Sequence, residues 1–312
     1  MEVQPLSGFA GVRKIKLFMA LSRTPHGLLD MATPALSALL ALGSFPNGRV
    51  ILLGLLTAFA GYTAVYALND LVDYRSDREK LRSMRETGGS GDVDAVFMRH
   101  PMAQGLISVP QAIAWTMGWG LVAFWGAYSL RPVCAAIFFS ACCLEAIYCT
   151  LLRVSYLRTL VSGLVKTSGA LAAVLAVDPD PDPFFVGYVF TWLFLWEIGG
   201  QNVPNDWSDL EEDESLSAKT LPAELGPEKA AWVVMLCLCS SALLGIGLFW
   251  SSPGSLSPVF HLGSLGAGWF LLIGPAGKLF KERSLDAAGR LFNKASYYPL
   301  AVLASTLAAM IF

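Results

Sequence analysis

Asn69-Asp70-Leu71-Val72-Asp73-Tyr74-Arg75-Ser76-Asp77 closes one long apolar stretch, and Asn205-Asp206-Trp207-Ser208-Asp209-Leu210-Glu211-Glu212-Asp213 closes another. Both fit the pattern N-D-x-x-D-x-x-x-D. On a helix, residues four apart share a face, so Asn69, Asp73 and Asp77 form a stripe bordered by Asp70. Asn205, Asp209 and Asp213, bordered by Asp206, repeat it. At the C-terminal end of a span the helix dipole disfavours carboxylates. Like charges about 4 Å apart add roughly 4 kcal/mol of repulsion at an effective dielectric near 20. Six aspartates stacked this way call for a counter-charge, and hard oxygen ligands without histidine or cysteine point to Mg²⁺. Solvated helix ends would explain one motif equally well. Two copies favour a metal.

The surrounding chain places these motifs at a membrane. Apolar residues make up 54% and charged residues 15% of the sequence, against about a quarter charged in soluble domains. Nine stretches are long enough to cross a bilayer core, which takes about 20 helical residues: 26–45, 50–74, 108–129, 132–152, 157–177, 184–206, 229–251, 256–277 and 296–312. The expectation is an all-α integral membrane protein, one domain over 1–312. About nine transmembrane helices would surround a central cavity, with cap loops at 75–107 and 207–228. The basic, amphipathic Arg13–Arg23 stretch predicts an interfacial helix within 1–25 rather than a signal peptide. All six cysteines fall inside predicted spans as small apolar groups. The net charge of −2 gives no pointer to nucleic acid. Loops on the motif side hold nearly all Lys and Arg, while the opposite side holds only Arg49 and Arg131. The positive-inside rule therefore predicts a cytoplasmic motif face, with a bacterial inner membrane as the expected location.

Arg23, Arg75, Arg78, Lys80, Arg99, Arg153 and Lys219 are candidates to hold phosphate oxygens, or simply positive-inside loop residues. Glu145, Lys166 and Glu197, with His26 and Asp30, are ionisable groups inside spans, where charge is costly and marks function or mutual pairing. Trp115, Trp119, Trp192, Phe194 and Trp196 offer faces that could shield a cation, although packing or lipid contact also explains them.

Taken together, these residues resemble the UbiA-type intramembrane prenyltransferases. The likeness rests on Ser22-Arg23-Thr24-Pro25-His26, the two aspartate motifs, Pro101-Met102-Ala103-Gln104-Gly105, the Tyr148–Arg153 strip and Lys219-Thr220-Leu221-Pro222. It implies Mg²⁺-dependent transfer of a prenyl group from an isoprenoid diphosphate to an aromatic or lipid acceptor, through an allylic carbocation formed away from water. Carried onto this chain, it makes Asn69, Asp70, Asp73, Asp77, Asp206, Asp209 and Asp213 metal and diphosphate ligands. Asp70, Asp73, Asp206 and Asp209 stand at the reaction, with Asn205 beside them. Arg23, Arg153 and Lys219 become diphosphate contacts, and Tyr148 lines the cavity. The chain departs from the family pattern in placing His100 before Pro101, with Arg99 one position earlier. It also has a longer 77–101 segment containing Gly88-Gly89-Ser90-Gly91, a hinge for a lid. Two other readings remain open from sequence. One keeps the fold but transfers another diphosphate-activated group, such as phosphoribosyl, to a polyprenyl phosphate. The other is a cation-coupled transporter, disfavoured because transporter sites sit near the midplane.

Overall fold

The computed structural model describes residues 7–84, 100–251 and 258–311, all of them in helices and short turns. Gly88–Gly91 and Arg99 lie outside the described residues. In chain order the helices are α1 (Ser7–Leu21), α2 (Thr24–Asp30), α3 (Ala32–Leu42), α4 (Gly48–Val72), α5 (Tyr74–Met84), α6 (Val109–Leu130), α7 (Pro132–Thr150), α8 (Arg158–Val177) and α9 (Pro183–Trp196). There follow α10 (Val203–Ser208), α11 (Leu210–Ser215), α12 (Leu221–Ser251), α13 (Pro258–Ala267), α14 (Gly274–Glu282), α15 (Leu285–Ala295) and α16 (Tyr298–Ile311). Local chemistry starts several of them. The Asn47 side chain accepts from the Val50 amide at 3.0 Å before α4, and Asp182 accepts from Phe184 at 3.0 Å before α9. Both satisfy amides that lack an intrahelical partner.

Among the described residues, six helical stretches are long and apolar enough to cross a membrane: Gly48–Val72, Pro132–Thr150, Arg158–Val177, Pro183–Ser208, Leu221–Leu248 and Pro258–Glu282. They coincide with six of the nine stretches expected. The other three fall short for separate reasons. Pro34 has no amide to give the Asp30 carbonyl, which takes the Thr33 hydroxyl at 2.9 Å instead, so the first stretch divides into α2 and α3. α6 has 22 residues but carries Trp, Tyr and Gly in place of aliphatic groups. α16 has only 14. Large apolar side chains such as Leu52, Trp125, Phe139, Leu243 and Phe270 are exposed around the outside, as lipid permits and water does not.

Two wide π-turns interrupt the spans, Glu197–Asn202 between α9 and α10 and Gly268–Ile273 between α13 and α14. Each ends two residues before a proline, Pro204 or Pro275. A proline inside a helix removes one hydrogen bond and crowds the carbonyl four residues back, and a widened turn relieves this. Gln201 meets the resulting need, donating its side-chain amide to the Gly200 carbonyl at 3.0 Å. Gly199 in this turn touches α12. A Cβ there would stand 2.7 Å from Cys237 Cβ and 3.1 Å from the Val234 carbonyl. Gly199→Val is therefore expected to destabilise by about 1–3 kcal/mol through overpacking against backbone. Unfolding in mixed micelles measures this, and wild-type resistance would refute the packing argument.

The expected cap loops contain helices. α5 occupies 74–84 and α11 occupies 210–215, and the two pack on each other. Their sequences are polar but rich in Arg, Lys and Glu, which are good helix formers. Polarity there marks position outside the apolar bundle, not absence of structure.

Candidate active site

Both motifs bend at their middle aspartate. α4 stops at Val72, Asp73 caps it, and α5 begins at Tyr74. α10 stops at Ser208, Asp209 caps it, and α11 begins at Leu210. Backbone bonds still run through each bend: Asp73 N to Asn69 O and Asp77 N to Asp73 O are 2.9 Å, while Asp209 N to Asn205 O is 3.2 Å and Asp213 N to Asp209 O is 2.9 Å. This corrects the dipole reading made from sequence. Asp77 and Asp213 lie in the first turns of new helices, at the favourable end.

A single cavity of about 510 Å³ is lined by Asn69, Asp70, Asp73 and Asp77 and also by Asn205, Asp206, Asp209 and Asp213. Asp70, Asp77, Asp206 and Asp213 are buried. Burying carboxylates demands paired charge, and four cations supply it. Arg23 donates to Asn69 Oδ1 at 3.2 Å and lies 3.5 Å from Asp70 Oδ1. Arg158 donates to Asp206 Oδ1 at 2.8 Å, with its guanidinium 4.4 Å from the Tyr148 ring centre. Lys80 of α5 reaches Asp213 of α11 at 2.8 Å, tying the two motifs together. His100 Nδ1 stands 2.9 Å from Asp77 and 3.7 Å from Asp70, at ion-pair distance but off hydrogen-bond geometry.

Charge sets the protonation of this rim. Burial works against a charged imidazole at His100, but Asp77 and Asp70 outweigh it and lift the group to about 9. Burial likewise opposes the Lys80 ammonium, and Asp213 and Asp209 reverse that and raise it. Burial raises the Asp213 carboxyl, and Lys80 offsets only part. Arg23 and His100 both hold left-handed backbone, with φ of 43° and 48°. That conformation costs roughly 1–2 kcal/mol per residue, and such strain collects at functional sites.

Not every expected residue reaches the cavity. Arg153 is half-exposed and paired with Glu79 on the surface, where an ion pair contributes little. Lys219 is exposed, and its backbone amide bonds the Leu152 carbonyl at 2.7 Å. Neither lines the cavity, because the turns at 151–157 swing Arg153 outward and Lys219 is pinned by its main chain. Arg75 and Arg78 are also exposed. Tyr148 lines the cavity and receives a bond from Asn202 at 2.9 Å. Trp192 and Trp196 are buried in the core instead, and neither they nor Trp115, Trp119 and Phe194 line it. Phe45, Tyr62, Tyr66, Phe138, Tyr148 and Phe292 are its Phe and Tyr lining.

The sequence reading missed Arg158, which starts a span and resembled a loop residue, and it noted His100 only as a departure before Pro101, whereas His100 stands beside Asp77 of the first motif. Deeper in the bundle, Lys166 donates to Asp30 at 2.5 Å and Tyr66 at 2.6 Å. Ser162 donates to Glu197 at 2.6 Å, and Asn69 donates to Glu145 at 2.7 Å. The intramembrane charges therefore do pair, though not completely.

The residues fit a hard divalent cation. One carboxylate oxygen of Asp70 and one of Asp77 lie within 4.8 Å of each other, beside the His100 imidazole. Among the described residues, Asp206 Oδ2 is buried with no hydrogen-bond partner, an orphaned carboxylate oxygen such as a metal would satisfy.

Known proteins resemble this chain over most of its length. The model of the UbiA prenyltransferase family matches residues 31–298. A 4-hydroxybenzoate octaprenyltransferase of Idiomarina loihiensis is 24% identical over 237 residues, 75% of this chain and 78% of the relative. A UbiA homologue of Aeropyrum pernix superposes with a TM-score of 0.74 at 18% identity, covering 91% of this chain and 98% of that one. A homologue of Archaeoglobus fulgidus, bound to DMAPP and Mg²⁺, superposes with a TM-score of 0.64 at 16% identity, covering 92% and 99%. With the family model matched across most of its length, the chain belongs to the UbiA prenyltransferase family and is an intramembrane prenyltransferase.

Proposed function

We propose that the protein transfers a prenyl group from an isoprenoid diphosphate to an aromatic or lipid acceptor, with Mg²⁺ held between the two aspartate motifs. One observation carries this reading: eight motif residues from two separate spans line one cavity, and one of their carboxylate oxygens is buried without a hydrogen-bond partner among the described residues. Asn69, Asp70, Asp73 and Asp77 on one side, and Asp206, Asp209 and Asp213 on the other, are the ligands. Asn205 borders them. When bound, Mg²⁺ supplies Lewis-acid stabilisation of the departing diphosphate. Arg23, Arg158, Lys80 and His100 add fixed positive charge where negative charge develops. The apolar walls formed by Ala35, Leu39, Gly54, Leu55 and Phe138 receive the prenyl tail and exclude water from the carbocation. The bound ligands of the Archaeoglobus homologue and the name of the Idiomarina relative support a prenyl diphosphate donor, with a hydroxybenzoate as one candidate acceptor. We read 1–312 as one domain whose motif face points to the cytoplasm, probed by the positive-inside count.

The test is pyrophosphate release. Detergent-solubilised protein given geranyl diphosphate and an acceptor panel should release pyrophosphate with Mg²⁺, and lose at least 90% of that activity with excess EDTA. Release that is indifferent to EDTA would refute the metal role. No release with donors of any chain length would refute prenyl transfer.

A further inference from the structure

Glu197 is 3% exposed and lines the cavity from the π-turn. One of its oxygens takes the Ser162 hydroxyl at 2.6 Å, while the other is buried with no hydrogen-bond partner among the described residues. A buried polar atom left bare is costly, so its retention on a cavity wall calls for a ligand to complete it. Lys166 stands one turn beyond Ser162 on α8, hence on the same helix face, and also lines the cavity. Its ammonium has three donors. Asp30 and Tyr66 take two of them.

We propose that Glu197 and Lys166 form a subsite that binds the hydroxyl of a phenolic or alcoholic acceptor. The inference rests on the prenyl-transfer reading. A hydroxyl both donates and accepts: its proton meets the bare Glu197 oxygen and its lone pair meets the third Lys166 donor. Other chemistries fit less well. A carboxylate would face Asp30 and Glu197 together, and a hydrocarbon would leave the Glu197 oxygen bare. His26 and Phe292, stacked 5.3 Å apart and inclined by 13°, also line the cavity. The aspartate motifs would then take the donor and this subsite the acceptor.

Purified protein in lipid nanodiscs, titrated with 2-naphthol and naphthalene, tests the subsite. Wild type should prefer 2-naphthol by at least about tenfold, the scale of a hydrogen bond to a charged group. Glu197→Gln, nearly isosteric, should reduce that preference to about threefold or less, and Lys166→Met should move it the same way. A purely structural role would alter stability but leave the ratio intact. No preference in wild type, or a preference retained in both variants, overturns the subsite. Geranyl diphosphate with Mg²⁺ is titrated into the same samples. Its failure to bind wild type would sink the prenyl-transfer reading, whereas normal donor binding with an unchanged hydroxyl preference in the variants would sink this subsite alone.

Discussion

Asp73→Ala and Asp209→Ala are each expected to lower prenyl transfer by about 10²–10³-fold, the cost of removing one preorganised group that stabilises transition-state charge. Both residues line the cavity, and both are only partly buried. The backbone bonds that carry the chain through each bend use main-chain atoms, which alanine keeps. Stability should therefore stay within about 0.5 kcal/mol of wild type, the usual range for partly exposed substitutions. The diagnostic measurement is kcat as Mg²⁺ is varied, with thermal unfolding run beside it. Loss of turnover with unchanged unfolding supports a ligand role, and full turnover in either variant removes that residue from the site. Combining the two should cost less than the sum, because both serve one charge cluster.

Arg158→Met should act on stability as strongly as on activity. Arg158 and Asp206 are 5% and 3% exposed and joined at 2.8 Å. Removing the guanidinium strands a buried carboxylate, which typically costs about 3–5 kcal/mol. The cation resting against Tyr148 is lost as well. Arg158→Met with Asp206→Asn should regain much of the stability without regaining turnover, since no uncompensated charge remains. Equal destabilisation of the single and double variants would show that the pair contributes through packing alone.

How much of this was legible in sequence follows from what each feature depends on. Six of the nine expected spans and the acidic motifs could be read directly, because lipid contact fixes composition and the motif is contiguous. Arg153 and Arg158 lie five residues apart with similar surroundings, and only the turns between them decide which one faces the cavity. His100 is 23 positions beyond Asp77 and meets it through tertiary folding. The bend at the middle aspartates was hidden because the i, i+4 pattern survives through it. The π-turn at Glu197 had a local signal in Gly199-Gly200 followed by Pro204, but the empty oxygen it presents depends on where α8 packs.

The bend has a mechanical meaning. Asn69 and Asp70 ride on a helix anchored in the bundle, while Asp77 rides on one lying outside it; Asn205 with Asp206, and Asp213, divide in the same way. Each motif is therefore a pair of jaws meeting at a one-residue pivot. Whatever charge gathers both jaws also sets the angle between an inner and an outer helix, and two such pivots share one fulcrum where Lys80 grips Asp213. On the proposed reading, a donor held by both motifs is held by inner and outer helices at once.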